Sequence, residues 1–288
     1  MFKKPFFSIV IPTLDEEKYL PLLLGDLVQQ TLTNFEVIHV DGNSNDHTVK
    51  AASQFKRRFP LRIKVSKKQN VANQRNAGAQ LARGEWVIFM DADNRLPNYF
   101  LQGIKYQLEK NPQTGVFTTW VKTNQQTSLS KTIDSAINFG YELYHIVGKE
   151  AAIGALIGAK KTATRKVKFN EKQKIFEDSL FVKDCVAAGY HFKIFHEPRY
   201  LFSLRRFEKE GSLKMARIAA ASQLNYILGK SFEHHNYGYV MEGGKYYDRP
   251  SRSPFINLQR FIQKASKKQL TRAKQLLKSL GELLPEET

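Results

Sequence analysis

Two aspartates one residue apart end a short apolar run in Trp86-Val-Ile-Phe-Met-Asp-Ala-Asp-Asn94. In an extended chain residues i and i+2 face the same way. Asp91 and Asp93 therefore leave the strand side by side, near enough to share a hard divalent cation, which prefers oxygen ligands. The same triplet is also ordinary turn chemistry at a strand end. A second acidic pair, Glu177-Asp178, opens a stretch of helical pattern. Acids suit any helix N-terminus. Arginines stand at Arg75 and at Arg205-Arg206, and the guanidinium fork matches phosphate oxygens. The His234-His235 pair has no further His or Cys cluster beside it and reads as part of a loop. The single cysteine, Cys185, excludes a disulfide framework and a cysteine-based metal site, and its apolar neighbours suggest packing.

The elements that must position these residues alternate. Phe6 to Pro12 and Trp86 to Met90 read as buried strands, and Phe35 to Val40 and Leu61 to Val65 as strands between them. Between them lie helices over Asp15 to Gln30, capped by Asp15, from the 41–47 loop to about Phe59, capped by Ser44 or Asn45, and over Val71 to Leu81. Such alternation implies a mostly parallel sheet with right-handed crossovers, and ligands of open α/β sheets sit beyond the carboxyl ends of the strands. No Gly-x-Gly-x-x-Gly and no phosphate-binding Gly-x-x-x-x-Gly-Lys-Ser/Thr occurs, which disfavours a dinucleotide fold and a P-loop.

Further along, helices are expected over Pro97 to Lys110, Ile133 to Val147 and Phe176 to Gly189, with strands over Gly115 to Val121, Ala155 to Lys160 and His191 to Phe195. The basic run Lys160 to Lys168 reads as a loop. Gly211 to Gly229 reads as a helix and His234 to Asp248 as a Gly- and Tyr-rich loop. From Phe255 to Leu280 apolar residues recur at helical spacing, and from Ser251 to Gly281 every charged residue is basic. That pattern fits a helix docked on the protein body or one lying on an anionic membrane. The domain division expected is 1–230 for the α/β domain and 231–288 for the C-terminal loop and basic helix.

The chain has 288 residues, 42% hydrophobic and 25% charged, enough for a sizeable core. No signal-peptide pattern and no apolar run long enough to span a bilayer is present. The net charge of +18 favours anionic partners, whether nucleic acid, anionic lipid or phosphorylated small molecules.

In order along the chain, Ser8-Ile-Val-Ile-Pro-Thr-Leu-Asp-Glu-Glu17, Phe35 to Thr48, Asn73-Gln-Arg-Asn-Ala-Gly78, Ala82 to Asp93, Phe169-Asn-Glu171, Glu177-Asp178 and Ala188-Gly-Tyr190 resemble the family 2 glycosyltransferases. The resemblance covers roughly Phe6 to Gly211. It implies the GT-A fold, an α/β fold with a Rossmann-like, mostly parallel sheet, here with a basic helical C-terminal extension. It implies inverting transfer from a nucleoside-diphosphate sugar, a UDP-sugar favoured, with a divalent metal, Mn²⁺ or Mg²⁺. Asp93 would ligate the metal, and Asp91 would contact the ribose or share the metal. Asp178 would be the catalytic base, with Glu177 as the alternative. Pro12, Thr13 and Asp41 would hold the donor base, Arg75 would approach the nucleotide, and Arg205-Arg206 would close over the diphosphate. Many relatives carry Asp-Asp-Gly-Ser where this chain has Asp41-Gly-Asn-Ser44, which leaves one carboxylate there. The Gln-x-x-Arg-Trp motif of processive members is absent, so single-sugar addition is expected.

The expected acceptor is a glycan or a polyprenyl-linked lipid, met in the cytoplasm or at the inner face of a membrane with an anionic surface. Two rivals stand beside this. A nucleotidyltransferase of related fold would carry a Gly-rich basic loop after the first strand, where this chain has Pro12 to Glu17. A non-enzymatic nucleic-acid-binding protein would explain the charge but leave the ordered acids without a role, so no nucleic-acid partner is expected.

Overall fold

The computed structural model describes residues 4–210, apart from 124–127, 147, 149, 153 and 174, together with residues 243–248. The expected helices at 211–229 and 255–280, and the His234-His235 pair, lie outside the described residues.

Seven strands form one sheet: β1 (Phe7–Thr13), β2 (Phe35–Asp41), β3 (Leu61–Val65), β4 (Trp86–Met90), β5 (Thr114–Thr123), β6 (Leu156–Lys160) and β7 (His191–Phe202). Their order across the sheet is β3-β2-β1-β4-β6-β5-β7. β1, β2 and β4 are buried over their whole length; β1 and β4 are correspondingly apolar, whereas β2 also buries Glu36, His39 and Asp41. Pro12 sits inside β1 rather than closing it. It faces Val40 of β2, but the pairing with β4 stops at Val10, so no hydrogen bond from that side is lost at the proline.

The sheet is parallel except at β6, which runs antiparallel to both β4 and β5. Its direction follows from its point of entry. The chain reaches β6 through Gly154-Ala155, and the carbonyl of Ala155 accepts from the backbone of Asp91 and the side chain of Asn94. β6 therefore starts at the carboxyl edge of β4 and must run back along it.

Helices cover the sheet: α1 (Leu20–Val28), α2 (Thr48–Ser53), α3 (Val71–Leu81), α4 (Phe100–Lys110), α5 (Ser128–Ile146), α6 (Lys161–Lys166) and α7 (Glu177–Ala187). Two short helices, α8 (Arg205–Glu210) and α9 (Gly244–Asp248), complete the described residues. α1 buries Leu20, Leu23, Leu24 and Leu27, each contributing about 2 kcal/mol by area. α3 is different, because it buries Gln74, Arg75 and Asn76 along with its alanines. It can lie so close because Gly78 faces β1, where a Cβ would fall 2.2 Å from Val10 Cγ1. Gln74 donates to the carbonyls of Thr13 and Val40, 2.8 Å each, and Asn76 exchanges two hydrogen bonds with the Phe169 backbone.

Several boundaries differ from expectation. Asp15 does not cap α1, which starts at Leu20 behind Tyr19, and α2 follows His47 without a side-chain cap. The candidate caps join two loops instead. The amide of Asp15 donates to Ser44 Oγ and that of Asn45 to Asp15 Oδ1, while Glu16 and Glu17 donate to Thr48 and Asp46. Parallel neighbours place the loops after β1 and β2 side by side, and loop–loop bonds satisfy backbone groups that caps would otherwise serve. The basic run after Lys160 is a short helix, α6, and residues 244–248 of the Gly- and Tyr-rich stretch form α9. β5 and β7 extend beyond their expected ends because they pair with each other.

Candidate active site

The carboxyl ends of β1, β2 and β4 open onto one face, closed by the loop before β6, the start of α7 and α8. At the end of β4, Asp91 accepts from Arg75 Nη2 at 3.2 Å. The same nitrogen reaches the Gly154 carbonyl at 3.0 Å, and Nη1 reaches Glu177 Oε1 at 2.9 Å. Arg75 is held from below by Phe169, whose ring centre is 5.4 Å from the guanidinium carbon. One buried arginine thus joins the strand-end acid to the acidic pair that begins α7. Phe176, just before that pair, has φ 63°, the left-handed turn that aims the first turn of α7 into the site.

Asp178 is half-buried. Its Oδ2 accepts from the Gly154 amide and its Oδ1 from the Ser179 amide at 2.7 Å. There is no room for a side chain at position 154, where a Cβ would fall 2.5 Å from Arg75 Nη2 and 3.0 Å from Asp178 Oδ2.

Asp93 meets a different partner. Arg205 Nη2 lies 2.9 Å from Asp93 Oδ2, and Nε lies 3.1 Å from the same oxygen. Arg205 Nη2 also contacts both oxygens of Glu16, at 2.9 and 3.1 Å, and the guanidinium carbon sits 3.9 Å over the Tyr19 ring. This meeting of residues 112 apart has a local cause. Arg95 pairs with Leu201 through both backbone hydrogen bonds, so the chain leaving β7 passes over the loop that follows Asp93. Arg206 adds its charge to the field on Asp91, with its guanidinium 5.4 Å from the Tyr247 ring.

Beyond β1 and β2, Thr13 Oγ1 donates to Asp41 Oδ1 at 3.0 Å and lies 2.7 Å from His39 Nε2. Asp41 also accepts from the amide and hydroxyl of Ser44, and it is only 1% exposed. Pro12 is buried in β1 between these groups and the core.

The electrostatics follow from crowding. Burial pushes the Asp91 carboxyl up to about 6 against the pull of Arg75, with Asp93 adding repulsion, even though 39% of its side chain is open to solvent. Burial also raises both Glu177 and Asp178 above the usual carboxylate range, and Asp178 adds its repulsion to Glu177. Burial pushes Glu16 up to about 8, yet its two-oxygen contact with a guanidinium is that of an ionised acid. The contact decides, and Asp93 and Asp91 add their repulsion to the cost of burial. Five carboxylates, Glu16, Asp91, Asp93, Glu177 and Asp178, face Arg75, Arg205 and Arg206.

That imbalance, with an all-oxygen donor set, fits a hard divalent cation. Among the described residues no three His, Cys, Asp or Glu side chains gather into a cage for one. The protein would supply one or two carboxylates, as Mg²⁺ and Mn²⁺ sites completed by substrate phosphates require. Asp93 has 22% of its side chain open to solvent and is paired with Arg205.

Of the expected site residues, Arg75, Asp91, Glu177 and Asp178 gather around Gly154, Asp93 meets Arg205, and Arg206 acts on Asp91 by its charge, while Thr13 and Asp41 form a buried hydrogen-bonded group of their own. Glu16, Tyr19 and Gly154 were not expected there. Asp15-Glu16-Glu17 carried a signal, since three acids follow β1 where a phosphate loop would be basic, but the run also suits the first turn of a helix.

The fold is that of the GT-A glycosyltransferases. Staphylococcus aureus TarS, residues 1–349, solved with UDP, superposes with a TM-score of 0.55 at 20% identity, over 76% of this chain and 65% of that one. The mannosyltransferase PcManGT of Pyrobaculum calidifontis, solved with GDP-Man and Mn²⁺, gives 0.59 at 16% identity, over 99% and 77%. The model of glycosyl transferase family 2 matches residues 8–197, and the chain belongs to that family. Among curated relatives, a PGL/p-HBAD biosynthesis glycosyltransferase of Mycobacterium tuberculosis is 38% identical over 94 residues, 32% of this chain and 37% of that protein. The minor teichoic acid biosynthesis protein GgaA of Bacillus subtilis is 24% identical over 211 residues, 69% of this chain and 47% of that protein. The chain thus spans between a third and a half of the curated relatives named here. Among the described residues no helix is long and apolar enough to cross a membrane.

Proposed function

We propose that this protein is an inverting, metal-dependent, non-processive glycosyltransferase that moves a sugar from a nucleoside-diphosphate sugar to an acceptor hydroxyl or lipid phosphate, in glycan or glycolipid assembly. The observation that carries this reading is Arg75, which ties Asp91 on the donor side to Glu177 beside Asp178 on the acceptor side. One buried cation thereby sets the spacing between the two halves of a transfer reaction.

In this reading the donor nucleotide lies over Thr13 and the end of β2. Asp41 is buried and already bonded to Thr13 and Ser44, so it acts on the base through the loop it fixes. Asp91 meets the ribose, and Asp93, with or without Asp91, holds the metal. When bound, the metal neutralises charge on the departing diphosphate. Arg205 and Arg206 serve the same phosphates.

Asp178 is the base. Glu177 is buried and committed to Arg75, whereas Asp178 is half-open and fixed by two backbone amides. As the acceptor oxygen bonds to the anomeric carbon, its proton passes to Asp178. The bond to the diphosphate breaks on the opposite face, and the nucleoside diphosphate leaves with the electron pair.

A UDP-sugar is the favoured donor, supported by the UDP complex of TarS. The acceptor is a glycan or a polyprenyl-linked lipid. Residues 1–230 form the catalytic domain and 231–288 an attachment region. The net charge of +18 and the basic C-terminal pattern support work in the cytoplasm, at the inner face of an anionic membrane.

The test is a thermal-shift screen of UDP-, GDP- and dTDP-sugars with and without Mn²⁺ or Mg²⁺. A ligand of the native state raises the melting temperature. One nucleotide should do so, more strongly with metal. Equal melting temperatures with every sugar nucleotide and metal would rule the reading out.

A further inference from the structure

Among the described residues two cations of the site keep a buried nitrogen without a hydrogen-bond partner, Arg75 at Nε and Arg205 at Nη1. Arg75 is enclosed on Phe169 and bonded to Glu177, Asp91 and Gly154, whereas Arg205 carries its free nitrogen at the end of the fork. Arg205 is 89% buried at the side chain, contacts Asp93 and Glu16 through Nη2, and rests on Tyr19. Its remaining nitrogen, Nη1, is buried and has no hydrogen-bond partner among the described residues. A buried guanidinium nitrogen left unsatisfied is costly. It gains most from an anion that can take the free arm of the fork.

Asp93 is in the complementary position. Its Oδ2 accepts from both Nη2 and Nε of Arg205, so the guanidinium occupies one of its two oxygens and neutralises its charge. A guanidinium bonded twice to that oxygen competes with a divalent cation for Asp93, both for its lone pairs and for its charge. Glu16 offers Arg205 a second anchor, a carboxylate only 13% exposed and tied by its backbone to Thr48.

We infer that Arg205 is the resident counter-cation of Asp93, steadied by Glu16, and that it trades Asp93 for the donor diphosphate, so that donor binding opens Asp93 to the metal. Glu16 is a positioning residue: it keeps Arg205 in place while Asp93 is released. Donor and metal then bind with positive coupling, each raising the affinity of the other by the same factor. This rests on the donor and metal reading above.

The test measures free Mn²⁺ by electron paramagnetic resonance and nucleotide binding by calorimetry, on wild type, Arg205→Gln, Arg205→Lys, Glu16→Gln and Glu16→Gln/Arg205→Gln. The probes are UDP and uridine, or GDP and guanosine if the thermal screen selects guanine. Wild type should bind Mn²⁺ weakly alone and roughly tenfold more tightly with the diphosphate. Arg205→Gln should tighten Mn²⁺ alone and weaken UDP in EDTA, each by about fivefold or more. Arg205→Lys keeps the charge but not the fork, so it should move both values the same way. Glu16→Gln should weaken UDP in EDTA and leave uridine unchanged, and the double variant should be no weaker than Arg205→Gln. The inference fails if Arg205→Gln leaves metal-only affinity unchanged, if Arg205→Lys behaves as wild type, or if uridine and UDP weaken equally. A wild type that binds no nucleoside diphosphate, or whose Mn²⁺ affinity with UDP survives Asp93→Asn, removes the function proposed above and this inference with it. Melting curves identify any variant that has lost its fold, and Arg205→Lys then carries the test alone.

Discussion

Arg75 and Glu177 stand 2.9 Å apart, 102 residues distant in sequence, with only 3% and 7% of their side chains exposed. A buried pair of this kind weighs little in net stability while intact, but removing one partner strands the other charge. Arg75→Met should therefore destabilise the protein by about 3–5 kcal/mol. Adding Glu177→Gln should restore part of the loss. Urea unfolding of the two variants measures it, and a single variant as stable as wild type would show that Glu177 is neutral in the fold.

Replacing Asp178 by Asn should leave donor binding intact and reduce turnover by about 10²- to 10⁴-fold, the usual range for a general base. Burial raises the Asp178 carboxyl above its ordinary 3.8. The base must be ionised to work, so kcat/KM should fall on the acid side with a midpoint above that value. An Asn variant with full turnover would move the role to Glu177, and an unshifted midpoint would count against both, since burial raises each of them.

Gly154 allows a sharper separation of chemistry from folding. An added Cβ would press first on the Arg75 guanidinium and on Asp178 Oδ2. Gly154→Ala should lower kcat more than tenfold while the unfolding free energy drops by about 1–3 kcal/mol, the range for an overpacked site. Calorimetry alongside steady-state rates checks this, and normal kcat in the variant would show that Asp178 tolerates displacement.

How much of this was legible in the chain depended on the kind of signal. β1 and β4 were readable because strands buried on both faces must be largely apolar, and β3, only partly buried, through its alternating apolar and basic residues. α3 kept its expected bounds, Val71 to Leu81, although it buries Gln74, Arg75 and Asn76. The direction of β6 was not, because it is set by where the chain enters through Gly154-Ala155, a tertiary fact. α6 was hidden in a run of lysines and threonines that buries little beyond Ala163 and Thr164. The acids were legible as types, but their partners were not. Nothing in the spacing shows that Arg205 meets Asp93, or that Glu16 meets Arg205 across 189 residues.

His39 supplies a pH-dependence that belongs to the fold beneath the donor site. It is fully buried, its Nε2 bonds Thr13, and its Nδ1 has no partner among the described residues. Burial lowers its pKa from 6.5 to about 4, against the pull of Asp41. The folded protein therefore takes up a proton less readily than the unfolded chain. Above pH 6.5 neither form is protonated and the histidine has no pH-dependent effect. As pH falls from 6.5 towards 4 the unfolded chain gains the proton first, and stability is lost. At about 1.4 kcal/mol per pH unit, the loss approaches roughly 3 kcal/mol by pH 4. Urea unfolding at several pH values should show this slope in wild type and a flatter one in His39→Gln, whose amide can still bond Thr13 but does not titrate. If the two proteins lost stability in parallel over that range, the slope would have to come from the carboxylates.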